Sequence, residues 1–198
     1  AFDVLQCIGF GLLLLRILLF LIKKETPFLL TVLLLFLGVV YATPFVATQS
    51  TEGTLPLFVS SALKASEVSY FPLFPFLGFL LAGTLISWLF LRAAQQQKED
   101  VFIKRLFWSG AAIVVLTWLV ELLPLEIVTT HDFWHTSPNY FWMRLGFLFL
   151  LMSTLWYVED TLLLHSASTW AMPRWLTTLG MQSMFVYIAH LLVLYGWV

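Results

Sequence analysis

The chain has 198 residues, 61% of them hydrophobic and 11% charged, with a formal net charge of −1 and a mean hydropathy of +0.93. A soluble domain carries about 25% charged residues to cover its surface, so the composition excludes a soluble enzyme and a disordered tail, and the balanced charge leaves no basic face for a nucleic-acid partner. What remains is an all-α, polytopic transmembrane helix bundle in the lipid bilayer, and at roughly 20 apolar residues per span the chain has room for about six spanning helices.

Six apolar segments stand out, at 4–22, 28–46, 73–93, 102–123, 141–163 and 177–197, and the whole of 1–198 reads as one bundle. Asp3 and Gln6 flank the start of the first segment, three apart on one face. They read either as solvated interfacial groups or as groups facing a polar cavity. Cys7 is the single cysteine, so no internal disulfide can form. Lys23-Lys24-Glu25-Thr26-Pro27 reads as a tight turn into the second segment. Residues 47–72 form a long loop in which 56–65 has the pattern of a short helix lying on the membrane surface. Pro72 and Pro75 force an extended or kinked entry into the third segment, and Gly78 and Gly83 permit close helix approach. Gln95 to Asp100 reads as a polar turn.

The loop 124–140 holds His131 and His135, four apart, a spacing that can share a metal on a helix. This is not the H-E-x-x-H pattern, however, and Pro138 argues against a helix there, so no metal and no haem are expected. Glu121 and Arg144 both fall near the outer face, where they can pair; Arg16 can snorkel to the inner face. On the last segment Gly180, Ser183, Tyr187 and His190 share one stripe. Such a stripe either hydrogen-bonds a neighbouring helix or faces a cavity.

Positive charge orients the bundle. One set of connections carries Lys23, Lys24, Arg92, Lys98, Lys104, Arg105 and Arg174; the other carries Lys64, with Arg144 just inside a helix. The turns at 23–27, 95–100 and 164–176 are therefore expected inside, and the loops 47–72 and 124–140 outside. Trp88, Trp108, Trp170 and Trp175 then sit near inner ends and Trp118, Trp142 and Trp197 near outer ends, as two aromatic belts. The first residue is Ala, no signal peptide is recognisable, and both ends fall outside. These features lead to the expectation that the chain is the C-terminal portion of a longer membrane protein, completed by N-terminal helices or by a partner membrane subunit. A homodimer is a further possibility. The chain has no G-x-S-x-G esterase elbow and no P-loop.

Four segments carry a resemblance. Phe2-Asp3-Val4-Leu5-Gln6-Cys7-Ile8-Gly9 resembles the D-x-L-Q-R-I-G segment of the heparan-α-glucosaminide N-acetyltransferase family, with Cys7 where that segment has Arg. Phe71-Pro72-Leu73-Phe74-Pro75-Phe76-Leu77-Gly78 is similar to its F-P-L-F-P-W-x-G helix entry. Ser137-Pro138-Asn139-Tyr140-Phe141-Trp142-Met143-Arg144-Leu145-Gly146 resembles its Arg-containing step. Leu179-Gly180 through Ser183, Tyr187 and His190 resembles its closing helix. The four come in the family's order.

The resemblance implies a bacterial cell-membrane acyltransferase that moves an acetyl group from acetyl-CoA, as co-substrate, to a sugar amine or hydroxyl across the membrane. A base would deprotonate the acceptor and donors would hold the thioester oxyanion. The family's proposed catalytic histidine belongs to an upstream block of helices, so on the resemblance this chain lines the cavity. His190 and Asp3 are its candidate catalytic residues, and Gln6, Ser183, Tyr187 and Arg144 its candidate cavity residues. The alternative is a catalytically silent accessory subunit of a larger membrane complex, whose cavity would be collapsed or filled by lipid.

Overall fold

The computed structural model describes residues 4–48, 72–122, 137–159, 178 and 180–182. Five helices account for nearly all of them: α1 (Val4–Leu21), α2 (Glu25–Thr48), α3 (Leu73–Gln95), α4 (Glu99–Leu122) and α5 (Pro138–Glu159). All five are long and apolar enough to cross a membrane, and the described residues contain no strand. In lipid the helix is the open-ended way to satisfy every backbone polar group within one segment. Most of the sixth expected span, the surface helix of the first loop, and most of both long loops lie outside the described residues. The chain divides into two compact units, Ala1–Ser153 and Thr154–Val198; the packing below is that of the first.

The apolar runs located the helices, and their polar flanks extend them. Glu25, Thr26 and Pro27, read as part of a turn, form the first turn of α2, where proline loses no helical hydrogen bond. Glu99 and Asp100 likewise begin α4, where acidic groups meet the positive end of the helix dipole. The connections shrink to residues 22–24 and 96–98. At the first, the Lys24 carbonyl accepts the Phe28 N–H; at the second, the Lys98 carbonyl accepts that of Phe102. α5 opens at Pro138, ahead of the expected 141, with the Ser137 carbonyl accepting the Phe141 N–H. Proline's fixed φ and missing N–H suit that first position. The stretch around His131 and His135, where the sequence argues against a helix, lies outside the described residues. At the other end of the first loop, α2 runs on through Ala47 and Thr48.

The double-proline entry to α3 behaves as expected. Pro72 is extended (φ −65°, ψ 165°) and Phe74, immediately before Pro75, is held at ψ 117° rather than in a helical conformation. The Phe74–Pro75 peptide is cis. Pro44 lies inside α2 and is fully buried, and the helix continues through it. Beside it the Thr43 hydroxyl donates to the Val39 carbonyl at 2.8 Å, which gives this buried hydroxyl a partner within its own helix.

The core lies where α2, α3 and α5 meet. Val32, Val40 and Leu81 are completely enclosed, and Phe36, Leu77, Phe141 and Phe149 surround them. Phe141 is the hub: its ring centroid is 4.3 Å from that of Phe79 and 6.0 Å from that of Phe36. It fits because Gly78 has no side chain, since a Cβ there would come within 3.0 Å of the Phe141 ring. α1 joins through Cys7 and Gly11, the latter set against Leu77 and Leu80 of α3. α4 and α5 meet backbone to backbone at Gly110 and Gly146. Gly83, expected to allow close approach, faces open space; it lies one and a half helical turns from Gly78 and so on another side of α3. Outside this core the surface is apolar, with Phe20 79% and Trp108 69% exposed. Such a surface is stable against hydrocarbon and would aggregate in water.

Candidate functional site

Of the six expected site residues, Gln6 and Arg144 are described; Asp3, Ser183, Tyr187 and His190 lie outside the described residues, as do His131, His135 and Asp160. Gln6 sits in the first turn of α1, exposed, while its neighbour Cys7 turns into the core at 5% exposure. The helix therefore separates the two by roughly 100°: Cys7 packs the bundle, and Gln6 is exposed. On the last segment, residues 178, 180 and 181 are helical, and Gly180 of the expected stripe has nothing within 4 Å of a Cβ position.

Arg144 occupies the second turn of α5, half-buried. Its guanidinium donates to the Tyr140 hydroxyl at 2.9 Å and lies 4.1 Å from the centroid of that ring. One side chain thus supplies both a hydrogen-bond acceptor and a π face, and the i to i+4 spacing places Tyr140 one turn below. Glu121, expected as a partner for Arg144, is held instead by Asn139. The Asn139 amide donates to the Glu121 carboxylate at 2.9 Å and to the Thr117 carbonyl at 3.0 Å. The reason is geometric: Asn139 stands in the first turn of α5, facing the last turns of α4, whereas Arg144 lies more than a turn further along. The C-terminal end of α4 and the N-terminal end of α5 therefore present a carboxylate clamped by an amide and a cation clamped by a phenol. Sequence reasoning did not single out Asn139 or Tyr140; their signal was present in the quoted Ser137–Gly146 segment.

The remaining buried hydroxyls are structural. Thr43, Thr117 and Ser153 each donate to the carbonyl four residues earlier on their own helix, at 2.8 Å. Among the described residues no three metal-ligating side chains come together.

A search of the curated proteins gives no match, and neither does a search of the solved structures. A family model, heparan-alpha-glucosaminide N-acetyltransferase, catalytic, matches residues 1–115. That stretch covers α1, α2, α3 and most of α4, and takes in two of the four resembling segments, Phe2–Gly9 and Phe71–Gly78. The other two, with Arg144, Ser183, Tyr187 and His190, fall beyond it. With more than half of its length matched, this all-helical membrane chain belongs to the heparan-α-glucosaminide N-acetyltransferase catalytic family.

Proposed function

We propose that the chain forms part of a membrane acetyltransferase that carries an acetyl group from acetyl-CoA to a sugar amine or hydroxyl on the far side of a bacterial cell membrane. The observation that carries this reading is the family match over residues 1–115, which includes both the Asp3–Gln6 segment and the Pro72–Pro75 helix entry. The acceptor's nitrogen or oxygen attacks the thioester carbonyl, the carbon–sulfur bond breaks, and coenzyme A leaves as its thiol. The acceptor gives up one proton, and the departing thiolate takes one. His190 is assigned the proton transfer and Asp3 the orientation of the base or acceptor. Gln6, Ser183, Tyr187 and Arg144 line the cavity, where donors stabilise the oxyanion that forms on the carbonyl. Arg144 is suited to this because it is already fixed by Tyr140 rather than free to swing.

The test uses the full-length protein in proteoliposomes, labelled acetyl-CoA outside or inside, and a glucosaminide acceptor on the opposite face. Wild-type protein transfers label to the acceptor. His190→Ala lowers kcat by about 100-fold or more, as loss of a general base does, with the KM for acetyl-CoA little changed and the protein still monodisperse. Wild-type kcat in His190→Ala removes that residue from the chemistry. Absence of transfer by folded wild-type protein overturns the enzyme reading and leaves the accessory-subunit one.

A further inference from the structure

Between α2 and α3, at the end that carries Lys23, Lys24 and Arg92, lies a groove of about 470 Å³. Its floor and walls are Leu29, Leu30 and Leu33 of α2 with Leu85 and Leu89 of α3. Leu30 and Leu89 are also half exposed to the outside of the bundle, at 55% and 44%. The groove is therefore open sideways to the hydrocarbon as well as upward to the interface. An occupant must be apolar along its length and polar at one end, which describes an amphiphile and not a soluble metabolite.

The mouth specifies the polar end. The Trp88 indole N–H donates to the Glu25 carboxylate, and the Arg92 guanidinium lies 4.7 Å from the centroid of the same indole. The ring thus stands between a fixed anion and a fixed cation. Tryptophan is at home at the headgroup level, and Arg92 is one turn beyond Trp88 toward the water. From this arrangement we infer that the groove is a binding site for phosphatidylethanolamine in the leaflet at the Lys23–Lys24 end, independent of the acetyl-transfer reading. One acyl chain runs along the leucines. The phosphate takes the Arg92 guanidinium, whose fork geometry suits phosphate oxygens. The headgroup ammonium donates to the carboxylate oxygens of Glu25. Phosphatidylcholine keeps the phosphate contact, but its quaternary nitrogen has no N–H to donate. Phosphatidylglycerol has no cation for Glu25.

Native mass spectrometry of the full-length protein, delipidated in detergent and titrated with each of the three lipids, tests this. Phosphatidylethanolamine binds about tenfold more tightly than phosphatidylcholine, the factor that one charged hydrogen bond supplies. Glu25→Gln, which keeps an oxygen for the Trp88 N–H, weakens phosphatidylethanolamine strongly and phosphatidylcholine less, since choline loses only the attraction of the carboxylate's charge, and so removes most of the preference. Arg92→Gln weakens both. Leu33→Trp fills the groove and weakens all three lipids with both charges intact. Equal binding of the three lipids to wild type, tighter binding of phosphatidylglycerol, or wild-type selectivity in Glu25→Gln each overturns the assignment.

Discussion

Gly110 and Gly146 do what no other residue can at the crossing of α4 and α5. A Cβ on Gly110 would stand 2.8 Å from the Gly146 carbonyl oxygen and 2.9 Å from the Phe149 Cβ; a Cβ on Gly146 would stand 3.0 Å from the Gly110 carbonyl oxygen. These obstacles are backbone or backbone-proximal, so they cannot rotate away. In hydrocarbon, helices associate through such close packing and not through the exclusion of water. Gly110→Ala and Gly146→Ala should each lower stability by about 1–3 kcal/mol, the usual cost of overpacking. Gly83→Ala, with open space around it, should be neutral or stabilise by about 0.5–1 kcal/mol through its better helix propensity. Thermal scans in one detergent, with size-exclusion profiles as the check on assembly, measure all three. A Gly146→Ala protein as stable as wild type would show that the crossing has slack. The sequence alone does not separate these glycines: Gly78 and Gly83 look alike in an apolar run, and only the neighbouring helix decides that one meets the Phe141 ring and the other nothing.

The helices themselves were legible because lipid makes the rule simple: a run of about 20 apolar residues spans. Their ends were less so, because helical hydrogen bonding does not stop where hydrophobicity does. Glu25, Glu99 and Pro138 are polar or helix-breaking in the interior yet favourable in a first turn. The Ser137-Pro138 pair is an N-cap followed by an N1 proline, a signal available in the sequence. The turn between α3 and α4 carries its own test. The Lys98 N–H bonds to the Ala93 carbonyl and the Gln97 N–H to the Ala94 carbonyl, both at 3.0 Å, which is a Schellman closure. It requires a left-handed residue at Gln97, with φ 56°, where a side chain costs about 1–2 kcal/mol. Gln97→Gly should therefore stabilise by about 1 kcal/mol after its entropic cost, and Gln97→Val should destabilise, in the same thermal assay. The opposite order would mean that the turn is not held in this conformation.

The six candidate site residues were chosen by two different signals, and Gln6 and Arg144 are the two that fall among the described residues. Arg144 was legible as a polar group inside a span, which always needs a partner; its partner Tyr140 was not, because tyrosine is ordinary at a membrane interface. Asp3, Ser183, Tyr187 and His190 were chosen for a shared stripe or for the family resemblance, and a stripe says which side of a helix is polar without saying what faces it. What the molecule as a whole does expose to test is its orientation. The connections at 22–24 and 96–98 fall at the same end of the bundle, because α1 and α3 each run toward it and α2 and α4 away from it. Lys23, Lys24, Arg92, Lys98, Lys104 and Arg105 are all at that end, and Arg144 is at the other. By the positive-inside rule that end is expected to be cytoplasmic. Gln96 is exposed in the second connection, and the native Cys7 is buried. A Gln96→Cys substitution, made on a Cys7→Ser background, should react with a membrane-impermeant maleimide in inverted vesicles and stay unlabelled in intact cells. Labelling in intact cells would turn the bundle over. It would also move the groove at Glu25, Trp88 and Arg92 to the outer leaflet.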